Sequence, residues 1–214
     1  MLQTLNTFKY KKNKNSFFIF KPNFIKESVY NFSNFFKGTT IYSVKTNSLK
    51  CVLKTIHQNG INHFEASSMN EIKKIAKLFR NSKIFYMNPI KSRHSISKAY
   101  FKFGVKHFSV DHEDELKKIL EETKNASDLC LHLRLKISNN FAKYKIENKF
   151  GIGKNKAVEL LKKISCTSCK IGMSFHPGSQ CMDIKGFMLG IRFVKKILKK
   201  SNMDIDYLNV GGGF

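Results

Sequence analysis

Between residues 39 and 214 the chain repeats one pattern: a short apolar segment, a polar or glycine tip, then a run with apolar residues at helical spacing. The apolar segments are "TTIYSVK", "INHFEAS", "KIFYMNP", "VKHFSVD", "DLCLHLRLKI", "CKIGMSFHPGS" and "IDYLNVGGGF". Between them lie runs such as "LKCVLKTIHQNG", "SMNEIKKIAKLFRN" and "IKGFMLGIRFVKKILKKS". Strands that alternate with helices must lie parallel and connect by right-handed crossovers. Seven units in a row restrict the fold to a (β/α)8 TIM barrel or a large doubly wound sheet.

The tips select the barrel. They are Lys45, Glu65, Asn88, Asp111, Arg134, His176 and the run Gly211, Gly212, Gly213. A barrel gathers the C-terminal ends of all its strands at one mouth, where active sites lie; an open sheet does not. The fold class expected is therefore α/β, an incomplete TIM barrel with about seven of the eight strands. Complete barrels take about 250 residues, and a seven-stranded barrel would leave two unpaired edges. The expectation is a truncated barrel over 16–214, preceded by a basic tail over 1–15.

Punctuation supports the helices. Pro22 opens a helix that Gly38 should end, after a short strand in "SFFIF" at 16–20. Ser67 or Ser68 caps the "SMNEIKK" helix with Glu71 in its first turn. Gly60 and Gly104 close two others. The acids of "HEDEL" suit the positive end of a helix dipole. The stretch around "KFGIG" reads as less regular.

No run of eighteen apolar residues is present, so no membrane partner is expected. The N-terminus lacks the apolar core of a secretory signal, which makes cytoplasm the default. The net charge of +24 comes from 35 Lys and only four Arg. Specific readers of nucleic acid rely on the bidentate fork of Arg, and here the Lys are scattered in doublets. No specific nucleic-acid partner is assigned. The five Cys include one C-x-x-C, Cys166 and Cys169, without a second pair or suitably spaced His; no metal site is expected from spacing.

The glycine run after an apolar strand can present successive N–H groups to an anion, and it follows strand seven, where barrel phosphate sites often lie. A lysine tip across the same mouth could form a Schiff base with an aldehyde. Together they suggest pyridoxal 5'-phosphate (PLP).

Seven motifs in order carry a resemblance that covers about residues 16–214. They are "YSVKTN", "INHFEASSMNEI", "IFYMNPIKS", "GVKHFSVDHEDELKKI", "KFG", "MSFHPGSQ" and "LNVGGGF". The chain resembles the fold-type III (alanine-racemase-like) PLP decarboxylases, in their ornithine/lysine decarboxylase branch. The resemblance implies that Lys45 is catalytic and holds PLP covalently. It implies that His176 stacks on the ring, and that Ser179, Gly211, Gly212 and Gly213 bind the phosphate. Glu65 and Arg134 orient the cofactor, and Lys149 supports a subunit interface.

The implied activity is decarboxylation of a basic amino acid, with ornithine to putrescine favoured, by a homodimer. A lysine or diaminopimelate decarboxylase, or a non-catalytic regulator like the antizyme inhibitors, is the alternative. Ser43, Thr46, Glu65, His112 and Pro177 depart from the family pattern without removing a catalytic group. The family's acidic partner for the ring nitrogen, its catalytic Cys and its C-terminal β-domain have no counterpart here. The 214-residue chain is therefore expected to be a fragment or a natural truncation of something longer, inactive or poorly folded alone.

Overall fold

A computed structural model describes residues 18–144, 149–167 and 169–213. Along the chain run α1 (Pro22–Phe35), β1 (Tyr42–Ser43), α2 (Lys50–Gln58), β2 (His63–Ala66), α3 (Met69–Leu78), β3 (Lys83–Tyr86), α4 (Arg93–Phe103) and β4 (His107–Val110). Then come α5 (Glu113–Glu122), β5 (Cys130–Arg134), β6 (Ala142–Tyr144), α6 (Lys154–Ser165), β7 (Lys170–Ser174), β8 (Ser179–Cys181), α7 (Ile184–Ser201) and β9 (Tyr207–Asn209). Seven strands form one sheet in the order β1-β2-β3-β4-β5-β7-β9, and every neighbouring pair is parallel. Strand order equals chain order, as successive right-handed βα units require. The curled sheet is the incomplete barrel that the alternation predicts.

Its two faces differ in chemistry because side chains alternate along a strand. Phe64 on β2 packs among the rings of His57 and Phe79 and has no exposed surface, so this face carries the helices. Ile84, Phe108, Leu131, Leu133 and Met173 share it and are buried with Leu53, Ile72, Ile75, Ile96, Ile119 and Leu161 from the helices. The residues between them turn inward: Ser43, Glu65, Phe85, His107, Cys130, His132, Arg134 and Ser174. Burying one large apolar side chain stabilises a fold by about 1.5–3 kcal/mol, so this helix-facing layer is the main source of cohesion.

The helix ends follow the expected chemistry. Ser68 caps α3 by accepting from the Glu71 N–H, and Glu71 returns a carboxylate to the Ser67 N–H at 2.7 Å. Gly104 closes α4 in the left-handed region at φ 64°.

Four local expectations differ. Residues 18–20 form no strand, and residues 16 and 17, like the basic tail, lie outside the described residues. Helix α1 stops at Phe35 on an extended Phe36, before Gly38 is reached. Strand β1 keeps two residues, because the Thr46 N–H and hydroxyl both turn back to the Ser43 carbonyl. The "CKIGMSFHPGS" segment splits into β7 and β8. Strand β8 leaves the barrel to pair antiparallel with β6, inside the stretch that reads as irregular.

Candidate active site

Lys45 stands in the turn that closes β1. Val44 is fully buried, and its N–H continues the ladder to the Glu65 carbonyl at 3.0 Å. The turn is tied further by the Tyr42 hydroxyl, which donates to the Asn47 carbonyl, and by the Asn47 side chain, which accepts from the Leu49 N–H. Lys45 itself is exposed. The cation ends the strand because the chain turns there, at the rim of the polar interior.

His176 lies two residues past β7. Its Nδ1 accepts the Gly178 N–H at 3.0 Å, so any ring proton sits on Nε2. Burial, then the charges of Lys45 and Arg134, push its pKa down to about 4. The ring is neutral at neutral pH, and the two cations that act on it share its mouth.

Arg134 ends β5, with its guanidinium 5.0 Å from the Phe150 ring centroid. Burial lowers its pKa, against the pull of Glu65 and Asp111. Asp111 also accepts the Gly151 N–H at 2.8 Å. The "KFGIG" segment is thereby drawn over the end of β5, where Ile152 bridges Leu135. Lys149, in the same segment, is exposed.

The glycine run follows β9. Gly211 has φ +77° and Gly213 φ +99°. A Cβ on Gly211 would collide with the Phe175 carbonyl oxygen, and one on Gly213 with the Gly178 carbonyl oxygen. A Cβ on Gly213 would also lie 3.3 Å from Cε1 of His176, whereas one on Gly212 would meet nothing within 4 Å. The run is thus seated against the "FHPG" loop beside the imidazole, with its centre open. The Gly211 N–H is engaged by the Asn209 side chain, and the Gly213 carbonyl accepts the Cys181 N–H. Ser179 is exposed on β8, two residues before Cys181.

The fold therefore brings Lys45, Glu65, Arg134, His176 and the three glycines to the C-terminal ends of β1, β2, β5, β7 and β9. Ser179 stands exposed on β8, whose Cys181 N–H donates to the Gly213 carbonyl, and Lys149 is exposed in the "KFGIG" segment. Sequence reading missed Asn139, which is buried and holds the "HPG" loop by donating to the Pro177 carbonyl at 2.7 Å. It also missed Phe150 beneath Arg134. Asn139 has no local signal, and although Phe150 lies in the "KFG" motif, its contact with Arg134 joins residues distant in sequence. The donor set suits PLP: a primary amine, a neutral imidazole, open glycine backbone and a cation, all on one mouth.

The family model "Pyridoxal-dependent decarboxylase, pyridoxal binding domain" matches residues 24–214. The chain belongs to this family. Its cofactor is PLP, and the resemblance read from the motifs is confirmed. Among curated relatives, an ornithine decarboxylase of Panagrellus redivivus is 33% identical over 178 residues, covering 81% of this chain and 40% of that protein. An antizyme inhibitor 2 of Xenopus laevis is 28% identical over 179 residues, covering 81% of this chain and 38% of that protein. The solved arginine decarboxylase of Paramecium bursaria Chlorella virus superposes with a TM-score of 0.81 at 24% identity, covering 90% of this chain and 52% of that one. The chain spans about two fifths of the length of the curated relatives it matches.

Proposed function

We propose that these residues form the cofactor-binding half of a decarboxylase for a basic amino acid, with ornithine as substrate and putrescine as product. The observation that carries the reading is the convergence of Lys45, a neutral His176 and the seated glycine run on one mouth. Lys45 is the attachment point for the cofactor, and its neighbours at the rim keep it accessible. His176 presents a flat, uncharged face, fixed by the Gly178 N–H, against which an aromatic ring can stack. Open backbone at Gly212, with Gly211, Gly213 and Ser179 around it, receives the phosphate. Glu65, on the strand paired with that of Lys45, and Arg134 at the end of β5 orient the cofactor from the Lys45 side. PLP, when bound, supplies the sink for the electrons released as CO2 leaves.

The preference for ornithine rests on the relative at 33% identity, and the "NPIKS" segment leans away from the diaminopimelate branch. We extend the reading to a cytoplasmic homodimer by the same resemblance. A regulator without catalysis is the second reading, favoured by the likeness to an antizyme inhibitor.

The test is to add PLP to the 214-residue chain, reduce with borohydride and map the modified peptide. Modification at Lys45, absent in Lys45→Ala, supports the site; modification spread over other lysines with none at 45 overturns it. Release of CO2 from labelled ornithine and lysine, by a chain extended to the relatives' length, decides substrate and activity. We expect the 214-residue chain alone to turn over little or nothing.

A further inference from the structure

Deeper inside the barrel, two residues down β5 from Arg134 and roughly 7 Å below it, lies a second cluster that the decarboxylase reading does not use. His107 on β4 pairs in register with Cys130 on β5, and His132 is two residues further along the same inward face. His107 Nδ1 is 3.0 Å from His132 Nε2, and the Cys130 Sγ is 3.4 Å from that same nitrogen. All three donor atoms lie within 4.8 Å of one another. Their residues are 5%, 3% and 2% exposed.

These separations have a chemical meaning. Two nitrogens on one tetrahedral zinc stand about 3.3 Å apart and a nitrogen and a sulfur about 3.6 Å, from bond lengths of about 2.05 and 2.3 Å. The two separations to His132 fall within a few tenths of an ångström of these values, and the third, from His107 to Cys130, is at most 4.8 Å, which a rotation of the Cys130 side chain can close without moving the backbone. The site is walled by rings: Phe85 lies 4.2 Å from His107, centroid to centroid, and Tyr207 meets the same imidazole edge-on at 5.4 Å. Gly172 leaves space for His132, since a Cβ there would strike its ring. The second nitrogen of His132, Nδ1, has no hydrogen-bond partner among the described residues. Nothing on that side commits the ring to a tautomer that would hide the Nε2 lone pair.

We infer that His107, Cys130 and His132 form a buried binding site for one thiophilic cation of the Zn2+ or Cu+ kind. The set has two imidazoles and one thiol and no oxygen donor, which suits soft or borderline ions and disfavours Mg2+ and Ca2+. Its place in the barrel floor, pinning β4 to β5, makes it a structural centre beneath the cofactor. Spacing along the sequence cannot show it, because the donors come from different strands and the C-x-x-C pair is not part of it.

Titration of the 214-residue chain with Co2+, as a coloured surrogate for Zn2+, and separately with Cu+ under a competing chelator, tests the inference. One equivalent is expected, with tetrahedral visible bands and a thiolate charge-transfer band for Co2+, or tight binding in the Cu+ arm alone. Cys130→Ser should remove the charge-transfer band and weaken binding more than about tenfold, whereas Cys166→Ser/Cys169→Ser should leave both intact. X-ray absorption of the zinc-loaded wild-type chain needs no variant and should count one sulfur. Absence of binding in both arms, a shell without sulfur or with two, or loss of binding in the Cys166/Cys169 variant overturns the site.

Discussion

Lys91 should prove important to the fold although its side chain is closed off from solvent. Its side chain is wholly buried in the loop after β3. The ammonium donates to the carbonyls of Asn88 at 2.9 Å, Pro89 at 3.3 Å and Ser109 at 2.7 Å, and pairs with Glu115 at 2.9 Å. It thus ties the tip of β3, the middle of β4 and the first turn of α5 to one charge. Burial pushes its pKa down to about 8, with Glu115 pulling it back up. Lys91→Met keeps the stem and removes the charge. Breaking a buried pair by deleting one partner costs about 3–5 kcal/mol. Lys118 stays 2.6 Å from Glu115 and is partly exposed, which places the loss near the lower end, about 3 kcal/mol. For a chain of this size that lowers the Tm by about 6–12 °C. Urea denaturation gives the free energy directly. The double variant Lys91→Met/Glu115→Leu removes both charges, and it should recover about 2 kcal/mol relative to additivity. A single variant within 1 kcal/mol of wild type, or strictly additive effects, would refute the reasoning.

Two further outcomes follow from the site. Burial lowers the pKa of His176, to about 4, and also those of His107 and His132. Below the ordinary histidine pKa the unfolded chain takes up protons that the fold refuses. Stability should therefore fall as pH drops from about 6.5 towards 4, by at most about 1.4 kcal/mol per pH unit for each ring. Denaturation of His176→Asn across that window should show a shallower slope, and an unchanged slope would count against a buried neutral imidazole. Gly211→Ala and Gly213→Ala each force a side chain into backbone at positive φ and should cost about 1–3 kcal/mol and weaken PLP retention. Gly212→Ala, facing open space, should leave the Tm unchanged; equal losses at all three positions would contradict the seated geometry.

How far the sequence disclosed this arrangement depends on the range of each interaction. The βα alternation, the Ser68 and Gly104 caps and the tips at Lys45, Glu65 and His176 are local, and they stand where periodicity and cap chemistry put them. Strand β6 and the departure of β8 were hidden because their pairing, Ala142 with Cys181, spans a helix and a strand. The support of the "HPG" loop by Asn139, and of Arg134 by Phe150, was hidden for the same reason. A buried Lys91 runs against what its residue type suggests; only the three carbonyls and Glu115 gathered around it explain it.

The mouth and the floor obey one counting rule. Once Ser43 is paired with Glu65, His107 with Cys130, and Arg134 with Ser174, the other inward residues of these strands follow by steps of two. Positions 63 and 65, then 107, 109 and 111, then 130, 132 and 134, then 172, 174 and 176 share one face. The upper members of these rows are Glu65, Asp111, Arg134 and His176, at the mouth. The lower members are His107, Cys130 and His132. A sequence shows the steps but not which parity faces inward, and a slip of one residue would turn apolar neighbours such as Phe64, Phe108, Leu131 and Leu133 inward in place of these groups. What sets the parity is the apolar row, since Phe64, Phe108, Leu131 and Leu133 are each without exposed surface against the helices. Burial of the outer face thus determines the chemistry of the inner one: with the apolar row committed to the helices, the lysine turn, the imidazoles and the thiol have only the barrel interior left to occupy.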